Sequence, residues 1–455
     1  MGLLSKIEDR KAVVSVVGLG YAGLPLAIAF AEAGFRVVGI DVDEAKVDSI
    51  NRGESYFDDV PTRSLAAVVG SPVSSDIGGA RASSLDVNGG PRLSATTDFD
   101  SLNSADAVII CVPTPLSKIK DPDLSYVITA AREISSRLHE GVLVVLESTT
   151  YAGTTEEVIL PILRDDNGKS LEVGRDFFLA FSPERVDPGR KDWTVKTTPK
   201  IIGGVTEACL EVAKKLYGCA IDELVPVSSP KVAEMVKLLE NTFRATNVAL
   251  VNEIAIMCDR LGIDVWEVID AAKTKPFGFM SFYPGPGLGG HCVPIDPQYL
   301  AWKLKTLNYN ARFIQLAAEI NLSMPGYVLG KISDLLNESR KPLRGSRILV
   351  LGVAYKADVS DFRESPALDL IDLLQGKGAE VAYNDPHVPQ IEVGDSVMAN
   401  TTLDEEALRN ADCVVIATEH SSYDWQWVVD NSHLIVDTRN ATRHSITDKQ
   451  RVSKL

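Results

Sequence analysis

Apolar runs alternate with helical segments in the first part of the chain, and this alternation predicts a parallel α/β sheet. The β-rich runs AVVSVV at 12–17 and RVVGI at 36–40 enclose an apolar segment at 24–33 that is typical of a helix. Further strand-like runs and one helical segment follow at 106–112, 124–138, 142–148, 177–182 and 200–204. Strands that alternate with helices are typical of a doubly wound parallel sheet, so we expect a Rossmann-like domain here.

The α/β pattern restarts after Gly345. The run ADCVVIAT at 411–418 echoes ADAVIICV at 105–112, so the second part is expected to resemble the first. LIVDTRN at 434–440 is expected to close the second sheet. The other predicted elements of this part are a strand at 347–353, a helix at 365–376 and a strand at 380–385.

Helical segments separate the two α/β parts. Residues 229–262 predict one long helix, because Pro230 suits its first turn and Gly262 suits its end. A second helical region covers about 311–338. The fold class is therefore predicted to be α/β, with two Rossmann-like doubly wound domains joined by a long central helix and a helical middle domain. The predicted domain limits are 1–215, 216–330 and 331–455.

Composition and charge exclude several classes of function. The 455 residues are 45% hydrophobic and 24% charged, which is ordinary for a globular protein, and no apolar run reaches the length of a membrane span. The net charge of −16 argues against nucleic acid as the main partner, because phosphate backbones attract basic surfaces. The segment 1–11 is polar and unlike a signal peptide, so we expect a cytoplasmic protein with neither membrane nor nucleic-acid partners.

A glycine-rich loop between the first strand and helix predicts a dinucleotide site. Gly18, Gly20 and Gly23 form G-x-G-x-x-G, in which glycines permit a tight turn, close approach of a pyrophosphate and close helix packing. Asp41 ends the next strand, 18 residues after Gly23, where a carboxylate accepts hydrogen bonds from a ribose and repels a 2′-phosphate. NAD is therefore favoured over NADP; the alternative is a glycine turn of an unrelated α/β protein. The residues expected to bind the cofactor here are Gly18, Gly20, Tyr21, Ala22, Gly23 and Asp41.

Hydroxyl residues follow two later strands of the same sheet. Thr114 follows the strand-like run at 106–112, and Ser148 and Thr149 follow the one at 142–148. Ligands of open α/β sheets bind at the carboxyl ends of the strands, so these side chains are candidates for contact with the cofactor. The alternative is that they cap helices or serve as ordinary loop hydroxyls.

One cysteine of six has an unusual setting. Cys292 lies in the glycine-rich loop GPGLGGHCVPIDP at 285–297, where the backbone can approach a ligand closely and a thiol can act as a nucleophile. His291 is its neighbour, although adjacent side chains often point apart. Asp296 either positions a water or caps the following helix. The six cysteines lack zinc-type spacing, so no metal is expected.

Three polar residues share one face of the long predicted helix. Lys237, Asn241 and Arg244 are spaced at i, i+4 and i+7 among apolar residues. Because polar groups on a largely buried helix are costly unless they face a cleft, this face is a candidate to line one. The alternative is a solvated polar face.

These motifs together resemble the UDP-sugar 6-dehydrogenase family, which includes UDP-glucose and UDP-N-acetylhexosamine dehydrogenases. The matching segments occur in family order over almost the whole chain: GLGYAGLPLA, VPTP, LESTT, SPERVDPG, KLLENTFRATN, GPGLGGHCVPIDP, GVAYKADVSDFRESPA and VDTRN. The stretch 70–91, rich in Ser, Gly and Ala, does not align with confidence and is expected to be an exposed loop.

The resemblance implies a four-electron oxidation of a primary alcohol to a carboxylate, with two NAD molecules used in turn. It makes Cys292 the residue that forms a thiohemiacetal and then a thioester, and Lys237 a proton donor and acceptor. The implied catalytic residues are Cys292, Lys237, Asn241, Asp296, Glu184 and Thr149, with Thr114 and Thr149 beside the cofactor. The implied substrate-binding residues are Glu184, Arg185, Val186, Lys237, Asn241, Arg244, Gly289, Tyr355, Lys356, Arg363 and Arg439.

The GGHC context of the cysteine resembles the branch that acts on UDP-N-acetylglucosamine or its epimers. UDP-N-acetylglucosamine is the expected substrate; UDP-glucose and UDP-N-acetylmannosamine are the alternatives. The family also implies a homodimer or higher homo-oligomer and a role in polysaccharide biosynthesis. Two rival hypotheses remain: a non-catalytic nucleotide-binding protein, and a hydroxyacid dehydrogenase that consumes one NAD per product.

Overall fold

A computed structural model describes residues 2–57, 60–70, 91–117, 121–165, 170–187, 189–190, 192–394, 396–446 and 451–455. The chain divides into two compact units. Unit 1 contains Met1–Leu239 and Gln298–Thr306, and unit 2 contains Glu240–Pro297 and Leu307–Leu455. The loop expected at 70–91 lies, apart from its two end residues, outside the described residues. The three predicted domain limits stay a prediction.

Unit 1 is built on an eight-stranded sheet with the order β3-β2-β1-β4-β5-β6-β7-β8. Its strands are β1 (Val13–Val17), β2 (Arg36–Ile40), β3 (Leu93–Thr96), β4 (Ala107–Ile110), β5 (Leu143–Leu146), β6 (Phe178–Phe181), β7 (Lys200–Gly204) and β8 (Leu224–Val227). All neighbouring strands are parallel except β6 and β7, which are antiparallel. The first residue of β7 therefore lies at the edge where β4, β5 and β6 end.

Helices cover this sheet because its central strands are apolar on both faces. Every residue of β4 and of β5 is buried, as expected for parallel strands between two helical layers. Side chains cap two of the helices: Asp43 accepts from backbone amides of α3, and Thr206 accepts from an amide of α7. The helices are α1 (Leu3–Glu8), α2 (Gly23–Glu32), α3 (Glu44–Arg52), α4 (Thr62–Val69), α5 (Ser125–Arg137), α6 (Leu160–Asp165) and α7 (Glu207–Tyr217), with a 3-10 turn at Phe99–Ser104 and a π-helical turn at Thr155–Ile159.

Four helices occupy the middle of the chain: α8 (Pro230–Leu261), α9 (Val265–Ala272), α10 (Asp296–Lys305) and α11 (Arg312–Glu338). The long helix expected at 229–262 is thus present as α8, and the helical region expected near 311–338 is α11. Large apolar side chains of α8 and α11 in unit 2 are exposed, among them Leu250, Met257, Leu261, Phe313, Leu316 and Leu322. The expected homo-oligomer stays a prediction. Among the described residues, no helix is both long and apolar enough to cross a membrane.

Unit 2 contains a second parallel sheet with the order β10-β9-β13-β14-β15 and a separate β11–β12 hairpin. LIVDTRN was expected to close this sheet, but its strand β14 is second from the edge, and β15 pairs beyond it. The short run VSK carries too little apolar pattern to be predicted as a strand. The elements are β9 (Arg347–Leu351), β10 (Glu380–Asn384), β11 (Gln390–Val393), β12 (Ser396–Ala399), β13 (Cys413–Ile416), β14 (Ile435–Asp437) and β15 (Val452–Lys454), with α12 (Pro366–Gly376), α13 (Glu405–Asn410), α14 (Trp425–Asn431) and a 3-10 turn at Ala441–His444.

A buried carboxyl group on α8 holds the loop that follows β5. Glu234 is 1% exposed and accepts hydrogen bonds from the amides of Gly153 and Thr155 and from the Thr155 hydroxyl. Burial raises the pKa of Glu234 from 4.5 to about 7, although these three hydrogen bonds oppose the shift. The folded protein therefore keeps a proton on Glu234 at pH values where the unfolded chain has lost it.

This proton gives the stability of the protein a defined pH dependence. Between pH 4.5 and about 7 the folded state binds more protons than the unfolded state, so the free energy of unfolding falls as pH rises. Across this window, we expect the free energy of unfolding of wild type to fall by about 3 kcal/mol relative to that of Glu234→Gln, whose side chain cannot titrate. Urea denaturation of both proteins across the window measures the difference. The exposed Glu223→Gln is the control, and a Glu234→Gln curve parallel to wild type would contradict the prediction.

Candidate functional site

The glycine-rich loop after β1 forms a cradle that suits a dinucleotide. Gly18 has φ +91°, and a Cβ there would lie 2.5 Å from the Cys111 carbonyl oxygen. A Cβ on Gly23 would lie 1.9 Å from the Gly18 carbonyl oxygen, so only glycine allows this packing. Gly20, by contrast, has no atom within 4 Å of its Cβ position, which leaves its backbone open to a ligand at the start of α2. The three glycines therefore have different surroundings, and the approach of a pyrophosphate to Gly20 stays a prediction.

Asp41 joins this cradle to the end of β2. Its carboxylate is 9% exposed and accepts hydrogen bonds from the amides of Leu19, at 2.9 Å, and Asp43, at 3.0 Å. The Lys46 ammonium lies 3.7 Å from it. The Tyr56 hydroxyl donates to the Leu19 carbonyl at 2.6 Å, and burial raises the pKa of this phenol. The carboxylate is thus held beside the glycine loop, with Tyr21 and Ala22 in the same turn, as an NAD-binding domain requires.

The other cofactor candidates of unit 1 lie at the carboxyl edge of the sheet. Thr114 is buried after β4, and Thr149 is half-buried after β5. Ser148 donates to the Val112 carbonyl at 2.7 Å, so its hydroxyl ties together the two loops that follow these strands. Ser148 therefore has a structural role, while Thr149 keeps an accessible surface.

Glu184 lies in the loop after β6, where two backbone amides and a lysine hold it. Its Oε1 accepts from the amides of Arg185 and Val186, each at 2.7 Å. Its carbonyl oxygen accepts from the Lys237 ammonium at 2.7 Å, and both side chains are buried. The Arg185 guanidinium donates to the Pro199 carbonyl. Unit 1 thus brings the predicted residues Glu184 and Lys237 into direct contact.

Cys292 is in unit 2, in a half-buried position just before α10. Its carbonyl oxygen accepts from the amides of Ile295 and Asp296 at the start of that helix. The Sγ atom lies 4.0 Å from Nδ1 of His291. Burial lowers the pKa of His291, and the positive charge of Arg363 lowers it further, which favours the neutral imidazole beside the thiol. The chemical role of His291 stays open.

The glycines before Cys292 allow its loop to pack tightly on the second sheet. A Cβ on Gly285 would lie 2.7 Å from the Arg439 guanidinium. Added Cβ atoms on Gly289 and Gly290 would lie 2.9 Å and 3.0 Å from the Tyr355 side chain. The cysteine loop and two predicted substrate-binding residues are therefore neighbours within unit 2.

Asn241 and Asp296 form the other polar contact of this group. The Asn241 amide donates to Asp296 Oδ2, and both residues are buried. Asp296 is also the first residue of α10, so the structure keeps both of its possible roles, as a helix cap and as a group that positions a water. Arg244, the third member of the predicted stripe, is exposed, in contrast to Lys237 and Asn241.

The cations expected to bind the nucleotide part follow the strands of the second sheet. Arg363 is 54% exposed and forms a bidentate pair with Asp361. Arg439 is 20% exposed, donates from Nε to the Ala417 carbonyl and lies 3.4 Å from a Glu419 oxygen. Tyr355 and Lys356 are half-buried in the turn after β9. Both arginines have acidic neighbours, so ion pairing contributes to their placement.

Two buried asparagines, missed by the sequence analysis, anchor the cysteine loop. Asn252 on α8 accepts from the Gly285 amide at 3.0 Å and donates to Asn321 on α11, also at 3.0 Å. Asn321 in turn donates to the Ala245 carbonyl. The signal was present, because an asparagine in the apolar stretch of a long helix is costly unless it is paired.

One group of side chains in unit 2 has the composition of a metal site. Ligand atoms of Asp358, His387 and His420 all lie within 4.8 Å of one another. However, Nδ1 of His420 already accepts from the Asp358 amide at 3.0 Å, and Nε2 lies 2.9 Å from Asp385 Oδ2. Both ring nitrogens therefore serve the fold, and the group is better described as a hydrogen-bonded corner.

The predicted residues thus form two sets. Unit 1 holds the dinucleotide cradle, Thr114, Thr149, Glu184, Arg185, Val186 and Lys237. Unit 2 holds Asn241, Arg244, Gly289, Cys292, Asp296, Tyr355, Lys356, Arg363 and Arg439.

Comparison with known proteins gives three family matches in sequence order. Residues 12–75 and 81–221 match the NAD binding domain of the UDP-glucose/GDP-mannose dehydrogenase family. Residues 231–323 match its central domain, and residues 349–444 match its UDP binding domain.

Individual proteins are similar over nearly the whole chain. The UDP-N-acetyl-D-mannosamine dehydrogenase of Escherichia coli K12 is 36% identical over 422 residues, covering 90% of this chain and 94% of that protein. An NDP-N-acetyl-D-galactosaminuronic acid dehydrogenase of Ralstonia nicotianae is 35% identical over 94% of this chain and 95% of its own length. The solved structure of a UDP-D-ManNAc dehydrogenase from Pyrococcus horikoshii matches with a TM-score of 0.85 and 34% identity, covering 97% of this chain and 98% of that one. The protein therefore belongs to the UDP-glucose/GDP-mannose dehydrogenase family, whose members are NAD-dependent oxidoreductases that act on the alcohol group of a nucleotide sugar.

Proposed function

We propose that the protein oxidises the C6 alcohol of UDP-N-acetyl-D-mannosamine to the carboxylate, in two successive two-electron steps. The observation that carries this proposal is the similarity along nearly the full chain to enzymes named for that substrate. This favours UDP-N-acetylmannosamine over the expected UDP-N-acetylglucosamine. The GGHC loop supports an N-acetylhexosamine rather than glucose.

Residues of unit 1 fit NAD. The open backbone at Gly20 receives the pyrophosphate at the start of α2, and Asp41 accepts from the adenosine ribose. Tyr21 and Ala22 complete the turn, and Thr114 and Thr149 at the carboxyl edge would contact the bound cofactor. NAD supplies the hydride acceptor for each oxidation.

Cys292 retains the aldehyde between the two oxidations. Its sulfur adds to C6 and gives a thiohemiacetal, which cannot escape into solution as a free aldehyde can. After the second oxidation the C6–S bond is that of a thioester. Attack by water forms the carboxylate and breaks this bond, and the sulfur leaves as the thiolate. The glycine loop and the Asn252–Asn321 pair hold the cysteine in place for both steps.

Proton transfer falls to the buried polar residues. Lys237 donates a proton to the C6 oxygen and accepts one from it, and Asn241 supports this role. Glu184 and Asp296 orient the attacking water and receive its proton. Each of these four side chains is buried, so the charges act with little screening by solvent.

Further predicted residues contact the substrate away from C6. Arg185, Val186 and Arg244 contact the sugar or its phosphates, and Gly289 lets the backbone approach. Tyr355, Lys356, Arg363 and Arg439 bind the UDP part, where cations balance the pyrophosphate charge. Concentrating cations at this point allows a chain with a net charge of −16 to bind an anion.

A substrate panel tests the choice of sugar. We expect kcat/KM for UDP-N-acetylmannosamine to exceed that for UDP-N-acetylglucosamine, UDP-N-acetylgalactosamine and UDP-glucose by at least about tenfold, a difference of about 1.4 kcal/mol. Initial rates of NADH formation measure it. A preference for UDP-N-acetylgalactosamine or for UDP-N-acetylglucosamine would show that the proposed epimer, N-acetylmannosamine, is wrong. A preference for UDP-glucose would overturn the assignment to N-acetylhexosamines.

Replacement of the thiol tests covalent catalysis. We expect Cys292→Ser to lower kcat for complete oxidation by at least about a thousandfold, because loss of a nucleophile removes the covalent route. Cys219→Ser, at another half-buried thiol, should keep wild-type activity. Activity of Cys292→Ser close to that of wild type would rule out the covalent mechanism.

Asp41 tests the cofactor site independently of the sugar. We expect Asp41→Ser to raise KM for NAD by about tenfold to a hundredfold, through the loss of hydrogen bonds to the ribose and to the Leu19 amide. The same change should increase kcat/KM for NADP, since the repelling carboxylate is gone. Steady-state kinetics with both cofactors show the effect. Unaltered preference between NAD and NADP would mean that Asp41 does not select the cofactor.

A further inference from the structure

A buried ionic cluster lies next to Glu184 in unit 1. It contains Lys200, Glu147 and Tyr217, and none of these residues belongs to the sites described above. The Lys200 side chain is 5% exposed and that of Glu147 is fully buried. Buried charges of this kind are costly, and replacing them with apolar residues is often neutral or stabilising. A function other than stability is therefore a reasonable explanation for their presence.

Lys200 contacts the Glu184 loop at two points. Its ammonium donates to the Pro183 carbonyl at 3.3 Å and lies 3.7 Å from Glu184 Oε2. It also donates to Glu147 Oε2 at 2.9 Å. The other oxygen of Glu147 accepts from the Tyr217 hydroxyl. The ammonium is thus shared between two carboxylates, and the Tyr217 hydroxyl holds that of Glu147.

The two oxygens of Glu184 have different surroundings. Oε1 accepts from the amides of Arg185 and Val186. Oε2 is buried and accepts no hydrogen bond from the described residues, and the cation nearest to it is Lys200. Lys237 donates instead to the backbone carbonyl of Glu184. Lys200 is consequently the group whose charge acts most directly on the free oxygen.

The charge states of the surrounding groups maintain the attraction between Lys200 and Glu184. Burial alone would lower the pKa of Lys200, but attraction by Glu147 and Glu184 outweighs it and raises the pKa, so the ammonium stays charged. Burial raises the pKa of Tyr217 and of Cys111, and both stay neutral. The facing groups are therefore one cation and one other carboxylate, apart from the backbone contact of Lys237.

We propose that Lys200 is a positioning residue for Glu184: its ammonium holds the carboxylate in place, so that Oε2 can take a proton from the attacking water. Glu147 sets the strength of this effect, because it competes for the same ammonium. The inference rests on the proposed function, in which Glu184 receives that proton.

Two variants separate this role from a structural one. Glu147→Gln leaves the ammonium with Glu184 as its only carboxylate partner in the cluster. The double change Glu147→Gln with Lys200→Met removes the cation without leaving Glu147 as an unpaired buried charge. Lys214→Met, which removes a partly exposed lysine of α7, is the matched control. Melting temperature and circular dichroism check that each variant is folded.

The readout is the pH dependence of kcat with saturating UDP-N-acetylmannosamine and NAD. Activity should fall on the acidic side, where the acceptor of the water proton is already protonated. We expect the midpoint of this fall to move to lower pH in Glu147→Gln and to higher pH in the double variant, by about one to three pH units in the latter. Lys214→Met should match wild type. Opposite shifts are not expected from a general loss of packing, which would lower kcat at every pH.

The outcomes are distinct. Midpoints equal to wild type in the folded variants, or shifts in the same direction, would overturn the role of Lys200. If the double variant does not fold, Glu147→Gln alone decides, and an unshifted or raised midpoint overturns the proposal. Failure of wild type to form NADH with any UDP-sugar would instead overturn the proposed function itself.

Discussion

Both units depend on one interaction: a buried carboxylate at the carboxyl edge of a parallel sheet accepts hydrogen bonds from backbone amides. Strands of such a sheet end together, and the loops that follow carry amides that must find acceptors away from water. In unit 1, Asp41 accepts from Leu19. In unit 2, Asp385 accepts from Val353 and Ala354 at the corresponding place, after the second strand. Each loop is therefore held in one conformation by a charge at the strand end.

The carboxylate at the strand end has a different role in each unit. Asp41 lies beside an open glycine, so its carboxylate and the loop can serve a dinucleotide. Asp385 is fully buried, and the ring of His420 contacts one of its oxygens. The second sheet consequently has no accessible ribose acceptor at this point. Instead, its turns hold Tyr355 and Arg439 against the glycine loop of Cys292. The same architecture thus supplies the predicted cofactor site in unit 1 and the predicted substrate-binding surface in unit 2.

Much of the fold can be predicted from local sequence patterns, whereas the features that were not predicted depend on how distant segments are arranged in the sheet. Apolar runs predict the buried strands β4 and β5, and Pro230 and Gly262 predict the limits of α8, because these signals are contained in the segments themselves. Lys200 could not be placed, since its position beside Glu184 arises only because β7 runs antiparallel to β6. The edge strand β15 has too few residues to show a pattern.

The candidate site divides in the same way. Sequence motifs indicate the glycine cradle and the setting of Cys292, and the family match confirms the class of enzyme, whereas the contact of Asn241 with Asp296 was not predicted. The Glu147–Tyr217 contact joins residues 70 positions apart and leaves no trace in either local sequence. Exposure of Arg244 also depends on how α8 is packed, which spacing alone does not determine. The roles assigned to individual residues stay predictions.

In the proposed mechanism, one thiol holds the substrate through two oxidations at C6. The most direct measurement is the stoichiometry of the complete reaction, with limiting UDP-N-acetylmannosamine and excess NAD. We expect two NADH for each sugar consumed, with the uronic acid as the sole sugar product and no aldehyde released. One NADH for each sugar, with an aldehyde or ketone accumulating, would contradict it.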